Sequence, residues 1–168
     1  MRVLAVAAVF LVPALTVVTD PKDAGGKLDL RSAKAVRNDP LLQLTISMYG
    51  PWVSRLLASG GNGLSGPKPG LNELTVLYDV NGDGAADFTG QIIYRGGLFL
   101  WITGKHSAFE PVPVKRPSPS SASFTHPVDV LFKGKGTKKL RFAITSVNGT
   151  HTDRLPNRGW VPVVFHLS

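Results

Sequence analysis

The feature that most constrains the fold of this chain is a succession of short apolar runs, each ending at Gly, Pro, Ser or Asn. In the clearest run, residues 42–48, Leu, Ile and Met alternate with Gln, Thr and Ser, as in a strand with one buried face. The pattern predicts further strands at residues 71–78, 88–94, 98–103, 112–116, 121–124, 128–132, 140–147 and 160–167. Residues 27–37 fit a strand or a helix, and residues 51–57 predict one helical turn. Many short strands at roughly ten-residue spacing predict an all-β fold, an antiparallel β-sandwich of the jelly-roll or immunoglobulin-like type.

The N-terminus is predicted to be a signal peptide covering residues 1–19, followed by a single domain over residues 20–168. Arg2 precedes an apolar run over residues 3–18, which is short for a membrane span of about 20 residues. An uncleaved membrane anchor is the alternative. With a mature start between residues 15 and 20, we expect a secreted or cell-surface protein without stable membrane insertion.

Composition narrows the class of protein further. The chain has no Cys, which fits a bacterial exported protein better than an animal one. It has 19 Lys and Arg against 11 Asp and Glu. Five of these cations lie in residues 133–141, which we interpret as a solvated hairpin tip. The alternative is a patch for a glycan or an anionic cell-wall polymer. Nucleic acid is not expected, because no aromatic residues interleave with these lysines.

Residues 79–87 read Asp-Val-Asn-Gly-Asp-Gly-Ala-Ala-Asp, which suits a hard cation. Calcium takes about six to eight oxygen ligands, and a Gly such as Gly84 allows the backbone to fold sharply around the ion. The expected ligands are the side chains of Asp79, Asn81, Asp83 and Asp87 and the carbonyl oxygen of Ala85. The alternative is a polar hairpin turn, since Asn-Gly and Asp-Gly are strong hairpin signals. Three acids in one turn repel each other unless a cation neutralises them, which favours calcium.

This loop resembles the D-x-[DN]-x-D-G-x-x-D calcium loops of FG-GAP-type propeller repeats and thrombospondin-type repeats. The likeness covers only residues 79–87 and has no second copy, so it implies no repeat array. It is not an EF-hand, because Gly90 stands where that motif has a bidentate Glu. We expect a structural ion bound with a Kd on the order of 10⁻⁴ to 10⁻³ M. A second calcium site near Asp20, Asp23 and Asp29 is conceivable, but a solvated terminus is the favoured interpretation there.

Three blocks carry a wider resemblance. They are Asp-Pro-x-Asp-x-x-Gly-x-Leu-Asp-Leu at residues 20–30, Lys-Arg-Pro-Ser at residues 115–118, and Asp-x-x-Pro-Asn-x-Gly at residues 153–159. Their order resembles that of secreted, cysteine-poor bacterial β-sandwich domains, most often actinobacterial. Those domains in turn look like the DOMON and family-nine carbohydrate-binding-module fold. The resemblance implies fold and export more than it implies function.

No catalytic constellation is evident in the sequence. Glycoside hydrolysis needs two carboxyls across a cleft, and the chain has only Glu73 and Glu110 besides Asp residues that we assign mostly to turns. His126 and His151 are each followed by an Asp within three residues, a pattern common by chance, whereas His106 and His166 stand alone. We therefore expect a protein that is not an enzyme, with a hydrolase as a distant third possibility.

Non-catalytic binding is the favoured class, with glycan as the first ligand to consider. Sugar modules stack pyranose rings on exposed aromatic side chains. Trp52 and Trp160 are the predicted ligand contacts, whereas Trp101 is expected to lie in the core because both faces of its strand are apolar. The alternative function is a structural or protein-interaction module of the cell envelope.

Overall fold

The structure, a computed structural model, describes residues 14–58, 72–104, 107–134 and 136–167. These residues form strands and two short 3₁₀ helices, Ser54–Leu57 and Asp129–Leu131. The strands are β1 (Ala14–Thr19), β2 (Leu30–Asn38), β3 (Leu41–Met48), β4 (Asn72–Asp79), β5 (Phe88–Tyr94), β6 (Leu98–Gly104), β7 (Ser107–Ala108), β8 (Val112–Pro113), β9 (Ser121–Pro127), β10 (Gly136–Asn148), β11 (His151–Leu155) and β12 (Val161–Leu167).

The strands form two antiparallel sheets that pack face to face, as the sequence predicts for a β-sandwich. The smaller sheet has the order β1-β2-β3-β9. The larger has the order β11-β10-β4-β5-β6-β7, with β12 also paired to β10 and β8 to β6. β10 bonds on one side to β4 and on the other to β12 and then β11.

Period-two alternation places the core between the sheets. In β3, Leu42, Leu44, Ile46 and Met48 are all buried, while the residues between them are exposed or half-buried. In β12 every second residue from Val161 is buried. Burying one such aliphatic or aromatic side chain contributes about 1.5–3 kcal/mol, which commits each strand to one register.

Most predicted strands are confirmed, and the exceptions have physical reasons. Residues 128–132 were expected to be a strand but contain the 3₁₀ helix Asp129–Leu131, because Val128 and Leu131, three residues apart, are buried on the same side of a tight turn. The basic segment is not a hairpin tip, since Lys138, Lys139 and Arg141 lie within β10. The sequence patterns did not predict β11, which is polar and lies at a sheet edge.

The N-terminal prediction overlaps β1. Ala14–Thr19 pairs with β2 along residues 32–37, at the edge of the smaller sheet, and Leu15 and Val17 are more than half exposed. Cleavage after residue 19 would leave β2 at that edge, and the signal peptide stays a prediction. In the ranges that the structure describes, no helix has both the length and the apolar character needed to span a bilayer.

Candidate functional site

The loop of residues 79–87 connects β4 and β5, as the sequence predicts. The N–H of Asp87 donates to the carbonyl of Tyr78 at 2.8 Å and closes the hairpin. Gly82 and Gly84 both have a φ of 88°, a backbone conformation that other residues rarely adopt. The turn is therefore built by the two Asx-Gly pairs, and it brings the predicted ligand residues together.

The oxygen side chains of this loop are bonded mainly to the loop itself. Asp79 accepts the N–H of Gly82 at 2.6 Å and that of Gly84 at 3.0 Å, one on each oxygen. The amide nitrogen of Asn81 donates at 3.0 Å to both Asp83 and Asp87. For an ion to bind here, the side-chain amide of Asn81 would have to turn so that its oxygen, and not its nitrogen, faces the ion.

Arg141 supplies a cation that the sequence analysis did not connect with this loop. Its guanidinium lies 2.7 Å from a carboxylate oxygen of Asp79, whose side chain is fully buried. The pairing follows from sheet register, because Arg141 lies opposite Asp79 where β10 meets β4. Part of the negative charge that favoured calcium in this loop is thus balanced by the protein. Calcium at Asp79, Asn81, Asp83, Ala85 and Asp87 stays a prediction.

The outermost acid of the loop is stabilised as an anion. The N–H of Ala85 donates to Asp83 at 2.7 Å, and this bond, followed by that from Asn81, holds the pKa of the Asp83 carboxyl below its usual value. Because Asp83 is exposed, it is a suitable residue for testing ion binding without disturbing the core.

A second group of acids lies where the chain enters β2, next to β11. Carboxylate oxygens of Asp20, Asp23 and Asp153 are all within 4.8 Å of one another. Asp20 is only 5% exposed and Asp29 only 3%, so the expectation of a solvated terminus is wrong for these two residues. It is correct for Asp23, which is exposed.

The burial of this group opposes its ionisation. Desolvation is the first cause that raises the pKa of Asp20 to about 6, followed by repulsion from Asp153, Asp23 and Asp29. Desolvation and repulsion from Asp153 and Asp23 also raise the pKa of Asp29. Asp20, Asp23 and Asp29 lie close together in the sequence, whereas Asp153 is brought to them by the fold.

The predicted aromatic contacts are differently placed. Trp52 is 3% exposed, and Arg116 lies over its ring at 3.9 Å from the centroid. The prediction that Trp52 contacts a ligand is therefore not supported, because no free face of the ring remains. Trp160 is half-buried, with the guanidinium of Arg154 5.6 Å from its ring centroid. Two carbonyls, those of Pro156 and Gly159, hold that guanidinium in place at 2.6 and 2.8 Å.

Trp101 lies outside the core, contrary to expectation. Its neighbours in β6, Leu100 and Ile102, point inward, so alternation places the half-buried Trp101 on the outer face of the larger sheet. There it lines a shallow recess of about 170 Å³ with Ile93, Arg95, Phe99 and Pro111. Thr75 and Gln91 stand in the same cross-strand row as Trp101.

The described histidines make no pairing with an acid that would support hydrolysis. His126 is buried and contacts the hydroxyl of Tyr78 and the carbonyl of Pro127. His151 is exposed and lies against Gly25, and His166 contacts Thr137. His106 lies outside the described residues.

Comparison of the chain with protein-family models, with curated proteins and with solved structures finds no match.

Proposed function

We propose that this chain is an exported, non-catalytic β-sandwich module that binds glycan on the outer face of its larger sheet. The observation that carries the proposal is Trp101, a half-buried indole on a solvent-facing sheet surface. Aromatic side chains with one wet face suit the apolar faces of pyranose rings. The proposal includes two predictions made from the sequence: that a signal peptide directs export, and that the fold is of the DOMON type.

The surroundings of Trp101 supply the polar groups that a sugar needs. Gln91 lies directly opposite Trp101 on β5, and Thr75 lies opposite Gln91 on β4, so the three side chains form one row across three strands. The guanidinium of Arg95, which also lines the recess, lies over the Trp101 ring at 5.7 Å from its centroid, farther than the 3.9 Å between Arg116 and the buried Trp52. The row therefore combines a stacking surface with hydrogen-bond donors and acceptors, the combination found in small-ligand sites.

The test is binding to a glycan array by the wild type and by Trp101→Ala. The matched control is Trp160→Ala, which removes the other half-buried tryptophan beside an arginine. We expect Trp101→Ala to weaken binding at least tenfold, which corresponds to about 1.4 kcal/mol, and Trp160→Ala to leave it unchanged. A loss confined to Trp160→Ala would contradict this placement and support the contact that the sequence predicts.

A protein partner of the cell envelope is the second candidate, and β1 favours it. This edge strand presents Leu15 and Val17 at 57% and 56% exposure. Exposed apolar edge strands pair readily with a strand of another chain. If β1 is removed with the signal peptide, this surface is lost.

An anionic cell-wall polymer would instead contact the exposed Lys133 and Lys139, so Lys139→Glu would weaken its binding and leave glycan binding intact.

A further inference from the structure

Four aspartates from three parts of the chain meet between the two sheets. Asp20 follows β1, Asp23 lies in the turn that follows it, and Asp29 immediately precedes β2. Asp153 lies in β11, at the edge of the larger sheet. One oxygen of Asp153 accepts the N–H of Leu30 at 2.7 Å, which fixes the carboxylate beside the start of β2.

Two of these carboxylates have buried oxygens without a hydrogen-bond partner. One oxygen of Asp20 and one of Asp29 are inaccessible to solvent and unbonded, although both residues are more than nine-tenths buried. A buried, unpaired carboxylate oxygen is costly, so such an atom usually faces a cation, a proton or an ordered water. The loop of residues 79–87 shows the opposite condition, since its oxygens are occupied by its own amides and by Arg141.

No side-chain cation of the described residues forms an ion pair with this group. The ion pairs recorded there join Arg37 to Asp39 and Arg141 to Asp79. The exposed Lys22 lowers the pKa of Asp29 only as a minor influence, after burial and repulsion. The accumulated negative charge is therefore left for an external cation to balance.

The spacing of the oxygens fits a single ion. Two ligands that share a calcium ion at about 2.3–2.6 Å lie no more than about 5 Å apart. The oxygens of Asp20, Asp23 and Asp153 meet this limit, with separations of at most 4.8 Å. The group contains only oxygen ligands, which excludes the nitrogen and sulfur sets that zinc prefers.

We propose that Asp20, Asp23 and Asp153 form a binding site for a divalent cation, that its ion is calcium, and that the buried Asp29 beside them adds negative charge to the site. Calcium accepts several carboxylates in irregular geometry, whereas magnesium demands a near-ideal octahedron and keeps several waters. Because Asp20 and Asp29 flank the smaller sheet and Asp153 belongs to the larger, the ion clamps the two sheets together. The site is independent of glycan binding at Trp101.

The structure provides a path for the ion. Asp23 and Asp153 line an open groove of about 540 Å³, together with Thr145, Thr152, Arg154 and Asn157. The side-chain amide of Asn157 donates to Asp23 at 3.1 Å and orients this exposed carboxylate. Solvent therefore reaches the outer ligands, while the buried Asp20 forms the closed inner end of the site.

The experiment is thermal unfolding of the full chain in excess chelator and in about 10 mM calcium, a concentration above the weakest Kd usual for extracellular sites. The variants are Asp20→Asn and Asp29→Asn, which keep shape and remove one charge. Asp83→Asn in the loop of residues 79–87 is the matched control. We expect calcium to raise the wild-type melting temperature by about 4–10 °C.

Asp20→Asn should lose the part of this rise that the buried site provides, and Asp29→Asn should reduce it. Both should melt in chelator at the wild-type temperature or above, because each removes a repelling buried charge. A purely structural role would lower the melting temperature equally in both conditions. Asp83→Asn should keep the rise. Retention of the full rise in Asp20→Asn, or its loss in Asp83→Asn alone, would overturn the proposal. Calorimetric titration with calcium alone that shows equal binding to wild type and Asp20→Asn would do the same.

Discussion

The hydroxyl of Tyr78 donates to Nε2 of His126 at 3.0 Å across the interior of the sandwich, joining β4 of the larger sheet to β9 of the smaller. Nδ1 of the same ring lies 2.9 Å from the carbonyl of Pro127. Because a carbonyl only accepts, Nδ1 carries the hydrogen and Nε2 is left as the acceptor. Burial raises the pKa of Tyr78 and keeps its hydroxyl protonated as the donor.

Removal of this hydroxyl tests the buried pair. Tyr78→Phe leaves Nε2 of His126 without a donor in the core, which costs about 1–3 kcal/mol of unfolding free energy. Urea unfolding measures the loss. Tyr94→Phe, at a half-buried position in β5, serves as the control and should change stability by less than about 0.5 kcal/mol. Equal effects of the two substitutions would show that the bond contributes nothing specific.

Protonation of His126 gives a pH-dependence with a defined sign. Burial lowers its pKa below 6.5, so the unfolded chain binds a proton that the folded protein excludes. The contribution of neutral His126 to the free energy of unfolding is fully present well above pH 6.5 and decreases as the pH falls below that value. At about pH 5.5 the wild type should have lost stability relative to His126→Gln, by at most about 1 kcal/mol, when each is compared with its own value near neutral pH. Parallel pH profiles in chelator would contradict this.

Loss of Arg141 should make the loop of residues 79–87 dependent on calcium. Arg141→Met leaves the fully buried Asp79 without its counter-charge, which costs about 3–5 kcal/mol in chelator. Arg141→Lys, which keeps the charge, should lose less. If the loop binds calcium, millimolar calcium restores part of the stability of Arg141→Met. An equal loss with and without calcium would mean that the loop is held by the guanidinium alone.

Asp83→Ala tests the same loop without disturbing the core. This exposed residue should leave the melting temperature in chelator nearly unchanged and remove whatever calcium stabilisation the loop of residues 79–87 provides. In a background of Asp20→Asn, which removes a ligand of the other site, the remaining calcium response belongs to the loop alone. Absence of any response in that background would leave the loop an ordinary polar turn.

We expect Trp52 to contribute to the stability of the fold and not to glycan binding. It packs in the core beneath Arg116, so Trp52→Ala should cost about 3–5 kcal/mol of unfolding free energy. Glycan affinity measured well below the melting temperature should stay at the wild-type value. Weaker binding at unchanged stability would restore Trp52 as a ligand contact.

The architecture was largely accessible from the sequence, because period-two alternation is a local signal. β3, β5 and β12 were predicted within one residue of their observed bounds. β11 was not predicted, because four of its five residues are polar and show no alternation with apolar residues. Its pairing depends on the backbone of β10. The outward position of Trp101 could have been predicted, because Leu100 and Ile102 on either side of it point inward and side chains alternate along a strand.

The candidate sites were only partly accessible. The loop of residues 79–87 is a contiguous motif, whereas its counter-charge Arg141 comes from a distant strand and is placed by register. Asp153 joins Asp20 only when β11 reaches the entrance of β2. Burial of Asp20 and Asp29 also depends on both sheets, and no local pattern distinguishes them from acids in an exposed lead-in.

The pairing of β10 on both sides has a consequence for how the molecule opens. Its amides that bond to β4 face a strand that is itself paired with β5 on its far side, whereas those that bond to β12 and β11 face edge strands that can fray. Edge strands exchange their amide hydrogens through local openings, whereas a strand enclosed on both sides exchanges only when the whole domain unfolds. In deuterium exchange of the full chain, the β10 amides that bond to β4 will therefore report the global stability of the protein, and β1 will exchange long before them.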